Sequence, residues 1–272
     1  MSDRLKAFKE KGYVILRGLL TPQELARLKD AMEKDQILRE NEYGRSDARG
    51  MRTRVCLWNS IPNNVAGAIA RAEKVVDTVE ELLEGDIYHY HSKLIMKDAH
   101  SGGAFLWHQD YGYWYEYKCL SPAMGTLWIA VDPTDKTNSC LQILEGSHLV
   151  GRVDTGRQGD QIVADPERVE FLKKRLPLRY VELDAGDAVF FHSNLLHMSD
   201  QNTSGKRRWA YLIAYNRSNN LPFGDHPHAE YEPIKKLQDS AIMTSPLTLS
   251  EKNLKFWTGR DTVVGLDQKP EI

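Results

Sequence analysis

The chain has 272 residues, of which 41% are hydrophobic, and a formal net charge of −2. This is the composition of an ordinary globular protein, and so small a charge gives no reason to expect a nucleic-acid or membrane-surface partner. Apolar runs such as 125–131 are too short to cross a bilayer, and three cysteines without metal-ligand spacing favour free thiols, so we expect a cytoplasmic protein.

The first third of the chain predicts helices around one strand. The helices are expected over 2–11, 21–35 and 63–83, and the strand over 13–17. Thr21-Pro-Gln-Glu24 is a capping box with proline at the first helical position, and Gly85 follows the last predicted helix as its terminator. The polar segment 41–53 is expected to be a mobile loop.

From Ile87 the pattern changes to short β-rich runs separated by turn residues. Strands are predicted over 87–97, 105–110, 126–131, 140–144, 180–183, 188–192 and 207–217. A helix is expected to begin at Asp165, and a weak one over 247–254. Helices followed by strands favour a mainly β (α+β) protein in which a β core carries a helical cover. We expect one domain over 1–272, with its core at about 87–217.

His108 and Asp110 are the most informative pair of residues in the chain. Residues i and i+2 of a strand face the same side, so both side chains can bind one metal ion. A third ligand from His197 would give two histidines and one carboxylate, the set typical of non-haem Fe(II) oxygenases. His192 competes for this third position, because it ends a predicted strand and could also point inward.

The segment that begins at His197 resembles the distal motif of the phytanoyl-CoA dioxygenase family. In that motif a serine, an asparagine and an arginine follow the histidine at fixed spacings, and Ser199, Asn202 and Arg208 match them here. Gly146-Ser-His148 also resembles a turn that is common in the family. The resemblance implies a double-stranded β-helix (a jelly roll, cupin-like), with the N-terminal helices packed on one sheet.

The same resemblance implies an enzyme that uses Fe(II), 2-oxoglutarate and O2 to hydroxylate a small molecule, with release of succinate and CO2. It implies that His108, Asp110 and His197 hold the iron, since the family spacings count from His197 rather than from His192. Related halogenases have a small residue at the position of Asp110, so the aspartate indicates hydroxylation.

Arg208 is the expected anchor of 2-oxoglutarate. A buried carboxylate needs a cation, and a guanidinium matches it with two parallel hydrogen bonds. Arg207 and Arg208 alternate on one strand, so only one of them can face inward. The family spacing favours Arg208, as do the small residues Ala210 and Ala214 on its face. Ser199 is expected to add a hydroxyl to the cosubstrate.

Lys93 and His91 share one face of the strand 87–97. The resemblance implies that this strand lines the cosubstrate and substrate pocket. Lys93 is therefore a candidate for cosubstrate binding, and His91 is a candidate for substrate binding. The alternative is that this face points to solvent.

The run 110–117 contains five aromatic residues. It is expected to be a loop, either a wall beside the iron, with Gln109, Tyr111 and Trp114 as candidate substrate contacts, or a lid packed on the helices. Basic and amide side chains of polar loops could bind an anionic group or could be surface charges; they are Arg52, Arg54, Asn59 and Arg157.

An aromatic wall with nearby cations favours a small zwitterionic substrate, and an aminoalkylphosphonate is the preferred example. An acyl-CoA thioester is the alternative substrate. A non-catalytic sensor of 2-oxoglutarate and metal would keep the same ligand set, whereas a metal-binding cupin would need ligands that the motif lacks.

Overall fold

A computed structural model describes residues 1–47, 49–224, 231–249 and 255–257 of the chain. Its helices are α1 (Asp3–Lys11), α2 (Pro22–Lys34), α3 (Gln36–Glu40), α4 (Val65–Arg71), α5 (Glu73–Leu83), α6 (Asp110–Glu116), α7 (Pro166–Lys173) and α8 (Ala241–Thr244). Its strands are β1 (Tyr13–Leu16), β2 (Tyr43–Ser46), β3 (Arg52–Trp58), β4 (Ile87–Lys97), β5 (Phe105–His108), β6 (Met124–Ala130), β7 (Leu141–Leu144), β8 (Thr155–Gln158), β9 (Gln161–Ala164), β10 (Leu178–Val181), β11 (Ala188–His192), β12 (His197–Ser199), β13 (Arg208–Arg217) and β14 (Phe256–Trp257).

The strands form two main antiparallel sheets. The larger sheet has the order β1-β11-β6-β13-β4-β3-β14, with β2 paired to β3, and the smaller one has the order β10-β7-β12-β5. A separate hairpin joins β8 to β9. The predicted β-rich core is therefore confirmed.

Period-two alternation along the central strands separates two packing layers. On β13, Trp209, Tyr211 and Ile213 face the N-terminal helices, whereas Ala210 and Leu212 face the smaller sheet. Helices α1, α2, α4 and α5 cover the outer face of the larger sheet through residues such as Phe8, Leu28, Ile69 and Val76. The expectation that the N-terminal helices pack on one sheet is confirmed, and the space between the sheets remains for a site.

Four predicted segments differ from the structure. The strand expected over 105–110 ends at His108, and Asp110 begins α6. The helix expected over 63–83 breaks at Ala72, because the Leu237 backbone accepts from Glu73 N at 2.9 Å and donates to Arg71 O at 2.9 Å. The segment 41–53, expected to be a loop, contains β2 and the start of β3. Of the weak helix expected over 247–254, residues 250–254 lie outside the described residues and 247–249 are not helical.

The three cysteines, Cys56, Cys119 and Cys140, are buried free thiols, as the sequence predicts. Among the helices that the structure describes, none has the length and apolar character needed to span a bilayer.

Gly67 allows α4 to pack against the preceding loop, and this gives a stability prediction. A Cβ at this position would lie 1.6 Å from the Pro62 carbonyl oxygen, so Gly67→Ala should destabilise the fold by about 1–3 kcal/mol or more. Helix propensity alone predicts a gain of about 1 kcal/mol for the same change, so the sign of the effect separates the two causes. Urea denaturation followed by circular dichroism measures it.

Gly156→Ala is the matched control for this prediction, because nothing lies within 4 Å of a Cβ added there. It should leave the free energy of unfolding within about 0.5 kcal/mol of the starting protein. Equal effects of the two substitutions would show that the approach of α4 to Pro62 carries no packing energy.

Candidate metal centre and its cavity

His108, Asp110 and His197 lie together between the two sheets. Strand pairing places His197 directly opposite His108, and Asp110 follows β5 as the first residue of α6. The Nε2 atoms of both histidines lie 3.9 Å from Asp110 Oδ1, and one ligand atom from each residue falls within 4.8 Å of the others. Two imidazoles and one carboxylate at these distances can hold one divalent ion.

Backbone carbonyls fix both imidazoles in the tautomer that metal binding requires. His108 Nδ1 lies 2.6 Å from Leu106 O, and His197 Nδ1 lies 2.8 Å from Leu195 O. A carbonyl oxygen only accepts, so each Nδ1 carries the hydrogen and each Nε2 keeps its lone pair for the metal.

The charge states of the three side chains also suit a metal. Burial lowers the pKa of His197, and burial together with the neighbouring His197 lowers the pKa of His108 well below its usual range. Burial alone would raise the pKa of Asp110, but Lys93, the two histidines and a hydrogen bond from Thr126 hold it below its ordinary value. At neutral pH the cluster therefore offers two neutral imidazoles and one carboxylate, which are the ligating forms.

A single cavity opens in front of this cluster. The large sheet forms its floor. One row of floor residues crosses four neighbouring strands and consists of Leu57, Lys93, Leu212 and Trp128. Other lining residues come from β2, β3, β4, β5, α6 and its C-cap, β7, β11, β12 and β13; they are Tyr43, Arg45, Val55, His91, Ile95, Phe105, Tyr113, Trp114, Tyr117, Leu141, Phe191, Met198, Ser199 and Arg208.

Arg208 is 2% exposed and projects into this cavity. Within the described ranges, its Nε and Nη2 have no hydrogen-bond partner and no carboxylate forms an ion pair with it. The guanidinium lies 5.5 Å from the centre of the Trp128 ring, and burial lowers its pKa to about 10. A buried cation without a counter-charge is costly, so this position is suited to an anionic ligand.

Lys97 lies opposite Arg208 on β4 and is a second fully buried cation. Its Nζ donates to Ser199 Oγ at 2.8 Å and also to the Asp200 carbonyl. These contacts use its donors, so Lys97 adds positive potential near Arg208 and fixes Ser199 at the cavity wall.

His192 and Arg207, the alternatives to His197 and Arg208, do not line the cavity. His192 alternates with the inward-facing Phe191, and its ring lies 6.0 Å from that of Phe8 and 5.4 Å from that of His148, against α1. Arg207 turns toward the helices and forms ion pairs with Glu33 and Asp132. His91 and Lys93, whose direction the sequence left open, both line the cavity.

The aromatic run is a short helix, α6, rather than a loop. Its first residue is Asp110, and Tyr113, Trp114 and Tyr117 follow on the same helical face and line the cavity. A Cβ at Gly112 would lie 2.9 Å from the Thr155 side chain of β8, so α6 packs closely on that strand. The aromatic wall beside the metal cluster is therefore a packed helix.

Six candidate substrate residues are not brought to the cavity. Two of them, Arg52 on β3 and Arg157 on β8, are exposed. The side-chain amide of Gln109 is hydrogen-bonded to backbone groups of Gly151, Val153 and Asn194. Tyr111 packs on Tyr115, with the ring centres 5.8 Å apart. Arg54 alternates with the inward-facing Val55 and Leu57 and pairs with Glu42 and Asp98, while Asn59 lies past the end of β3 beside the Lys255 backbone.

Sequence reasoning missed Arg45 and Thr126. Arg45 lies in the segment expected to be a loop, and no periodicity in that polar stretch indicated β2. Thr126 alternates with Trp128 and Ala130 on β6, which would have placed it on the inner face, but nothing indicated its contact with Asp110.

Comparison with known proteins gives the family. The family model described as Phytanoyl-CoA dioxygenase (PhyH) matches residues 8–210. The chain belongs to the phytanoyl-CoA dioxygenase family. The resemblance seen in the distal motif is thus confirmed, and with it the expected enzyme class, a 2-oxoglutarate-dependent dioxygenase, and the expected cofactors, iron(II), 2-oxoglutarate and O2.

Two relatives and one solved structure show how far the likeness extends. L-proline trans-4-hydroxylase of Streptomyces griseoviridis is 33% identical over 176 residues, which cover 59% of this chain and 66% of that protein, just under two thirds of its length. Ectoine dioxygenase of Bordetella bronchiseptica is 24% identical over 271 residues, which cover 92% of this chain and 88% of that protein. The crystal structure of EctD from S. alaskensis with 2-oxoglutarate and 5-hydroxyectoine has a TM-score of 0.72 at 21% identity, covering 91% of this chain and 89% of that one.

Thr126 Oγ1 donates to Asp110 Oδ2 at 2.6 Å, and this contact gives a prediction. Thr126→Val keeps the shape of the side chain but leaves the carboxylate free to rotate. Loss of such a supporting contact typically weakens metal binding about 10–100-fold. Anaerobic titration with Fe(II) measures the change in dissociation constant.

Thr134→Val is the matched control, because this buried hydroxyl has no hydrogen-bond partner among the described residues. It should leave metal affinity unchanged. An equal loss in both variants would mean that Thr126 acts through general packing and not through Asp110.

Proposed function

We propose that this chain hydroxylates an aliphatic carbon of a small polar molecule, with iron held by His108, Asp110 and His197 and with 2-oxoglutarate held by Arg208. The observation that carries the assignment is the buried, unpaired Arg208 guanidinium in the same cavity as the metal cluster. We further propose that the two facing sheets are the halves of a double-stranded β-helix.

The donor set fits iron(II). Imidazole nitrogens are suited to iron, and one carboxylate supplies the anionic oxygen of a two-histidine, one-carboxylate site. The cluster is closed on the protein side by Leu106 O, Leu195 O and Thr126, each of which orients one ligand. It is open on the side of the cavity, where substrate and cosubstrate have access.

The cavity also fits a dicarboxylate cosubstrate. Arg208 offers two unpaired N–H groups, and Ser199 lies beside it with its hydroxyl held by Lys97. The C5 carboxylate of 2-oxoglutarate would satisfy the guanidinium with two charge-assisted hydrogen bonds. Ser199 is proposed to donate its hydroxyl hydrogen to the same carboxylate.

When bound, iron and 2-oxoglutarate supply the oxidation of an unactivated C–H bond with O2, which no side chain can perform. The residues of the chain position the reactants and exclude water. Tyr113, Trp114 and Tyr117 form an apolar wall on one side of the metal ligands, and Phe191 packs on His197 with ring centres 4.7 Å apart. A substrate held between these rings would present its carbon to the metal with little water present.

A small zwitterion is the substrate class that we propose. The relatives named above act on ectoine and L-proline, which both combine a carboxylate with a nitrogen cation. Aromatic faces beside the metal ligands suit the cationic end of such a molecule. The aminoalkylphosphonate of the sequence analysis has no support from these relatives.

The decisive experiment for the enzyme class follows succinate and hydroxylated product for a panel of small zwitterions and acyl-CoAs, with Fe(II) and 2-oxoglutarate present. Turnover of one panel member identifies the substrate class. Consumption of O2 and 2-oxoglutarate without any substrate excludes a non-catalytic sensor, since a sensor binds both cofactors without turnover. A complete lack of 2-oxoglutarate consumption would contradict the proposed function.

His197→Ala should remove metal binding, whereas His192→Ala should retain it, because only His197 lies within ligand distance of the other two side chains. The visible charge-transfer band that forms when Fe(II) and 2-oxoglutarate are added without oxygen reports the intact site. A normal band in His197→Ala together with a lost band in His192→Ala would reassign the third ligand.

Arg208→Ala should raise the KM for 2-oxoglutarate far more than the KM for the substrate. A charged hydrogen-bonded contact contributes about 1.5–3 kcal/mol, which corresponds to a roughly tenfold to hundredfold change. Arg207→Ala is the matched control, since Arg207 points toward the helices, forms its ion pairs with Glu33 and Asp132 outside the cavity and should not affect KM. Steady-state kinetics with each reactant varied in turn measures the difference; a larger effect of Arg207→Ala would contradict the proposed role of Arg208.

A further inference from the structure

The cavity would keep an excess of positive charge after iron(II) and 2-oxoglutarate bind. Its lining contains three cationic side chains, Arg45, Lys93 and Arg208, and among the described lining residues Asp110 is the one carboxylate. Asp110 offsets half of the charge of an iron(II) ion. The remaining half and Arg208 are offset by the two carboxylates of 2-oxoglutarate. Arg45 and Lys93 are left without a counter-charge.

Arg45 is tied in place but not neutralised. Its Nη2 donates to Tyr113 Oη at 2.6 Å and to Asp160 O at 3.2 Å, and its buried Nε has no hydrogen-bond partner among the described residues. The guanidinium lies 5.5 Å from the centre of the Tyr113 ring, and that ring lies 6.2 Å from the ring of His108. One aromatic ring therefore separates this cation from a metal ligand.

Lys93 reaches the same space from the floor of the cavity. It lies on β4, opposite Leu57 on one side and Leu212 on the other, and both neighbours are apolar. Within the part of the chain that the structure describes, no hydrogen bond and no close ion pair engages its ammonium group. Lys97, by contrast, is held by Ser199 and the Asp200 carbonyl. Lys93 therefore remains available to a ligand.

Lys93 is also separated from the proposed anchor of the cosubstrate. Its partner on β13 is Leu212, four residues along the strand from Arg208. At about 3.4 Å per residue, the two backbone positions are roughly 14 Å apart. The carboxylate held by Arg208 therefore does not neutralise Lys93, which lies toward His91 and the aromatic wall of α6.

We propose that Arg45 and Lys93 together bind the anionic head group of the substrate and so select a small acid over its neutral analogues. This inference rests on the proposed function and deepens it. The planar guanidinium offers a fork for two oxygens, while the ammonium is a mobile point charge, and an anion between them would be held from two sides. The aromatic residues Trp114 and Tyr117 then face the rest of the molecule.

The test compares matched ligands that differ only in the head group. One series is L-proline, its phosphonate analogue and L-prolinamide; the other is β-alanine, 2-aminoethylphosphonate and β-alaninamide. Binding is measured by anaerobic calorimetry with the full chain, Fe(II) and 2-oxoglutarate, and turnover by the ratio of product to succinate. In at least one series the anion should bind at least roughly tenfold more tightly than the amide. Comparison of the carboxylate with the phosphonate in each series shows which head group binds more tightly.

The variants are Arg45→Gln and Lys93→Met, with Arg52→Gln as control. Arg52 is an exposed cation on β3 that pairs with Ser46 of β2, next to Arg45 but outside the cavity. Each cavity variant should weaken binding of the anion at least tenfold and leave binding of the amide unchanged, so that the preference is lost. Arg45→Lys and Lys93→Arg should restore part of it, and Arg52→Gln should keep all of it.

Three results would overturn the inference. The amide could bind as well as both anions in the two series, or Arg45→Gln and Lys93→Met could weaken acid and amide equally, as expected for a purely structural role. Lys93→Met could instead raise the KM for 2-oxoglutarate, which would assign Lys93 to the cosubstrate. Failure of the proposed function itself is distinguishable, because the wild type would then show neither a charge-transfer band nor uncoupled 2-oxoglutarate consumption.

Discussion

The antiparallel pairing of β12 with β5 is the constraint on which the site depends. It sets His197 directly opposite His108, and the chain turns from β5 into α6 at the next two residues, which brings in Asp110. Side chains alternate along a strand, so a slip of one residue in this pairing would turn His197 away from the cavity. The two strands are short; β12 lies between β7 and β5, and β5 is an edge strand of the smaller sheet.

The cavity is electrostatically incomplete without its ligands. Arg208 is nearly fully buried without a carboxylate, and Arg45 keeps a buried Nε without an acceptor among the described residues. Unpaired charge in the interior lowers the stability of the fold, whereas an anion that binds there recovers the lost interaction. The fold tolerates this loss of stability because β13, which begins with Arg208, is paired with both β4 and β6. The site thus gains affinity for an anionic ligand, and the protein without that ligand is less stable as a result.

The sequence predicts the metal ligands and Arg208 because each sits in a local pattern with one physical meaning. The short spacing of His108 and Asp110 and the motif that begins at His197 leave few alternatives, even though Asp110 begins α6 and does not lie on the strand with His108. It does not predict Arg45 over Arg54, since both lie in a polar stretch, and only the pairing of β2 with β3 determines which one reaches the cavity. The loop expected for the aromatic run is wrong. The sequence does not reveal α6, because Gln109 at its N-cap makes no capping hydrogen bond, and its packing on β8 is a tertiary contact.

The helix α6 joins three parts of the site. Its first residue is the carboxylate ligand Asp110, and its inward face carries Trp114 and the ring of Tyr113. The Tyr113 hydroxyl accepts from Arg45 and from Ile162 N and donates to Ile162 O, so it connects β2, α6 and β9. A displacement of this helix would therefore move a metal ligand, the aromatic wall and a cation together. Substrate preference in this protein is for that reason coupled to the geometry of the metal centre, and a change of the aromatic wall that shifts α6 affects both.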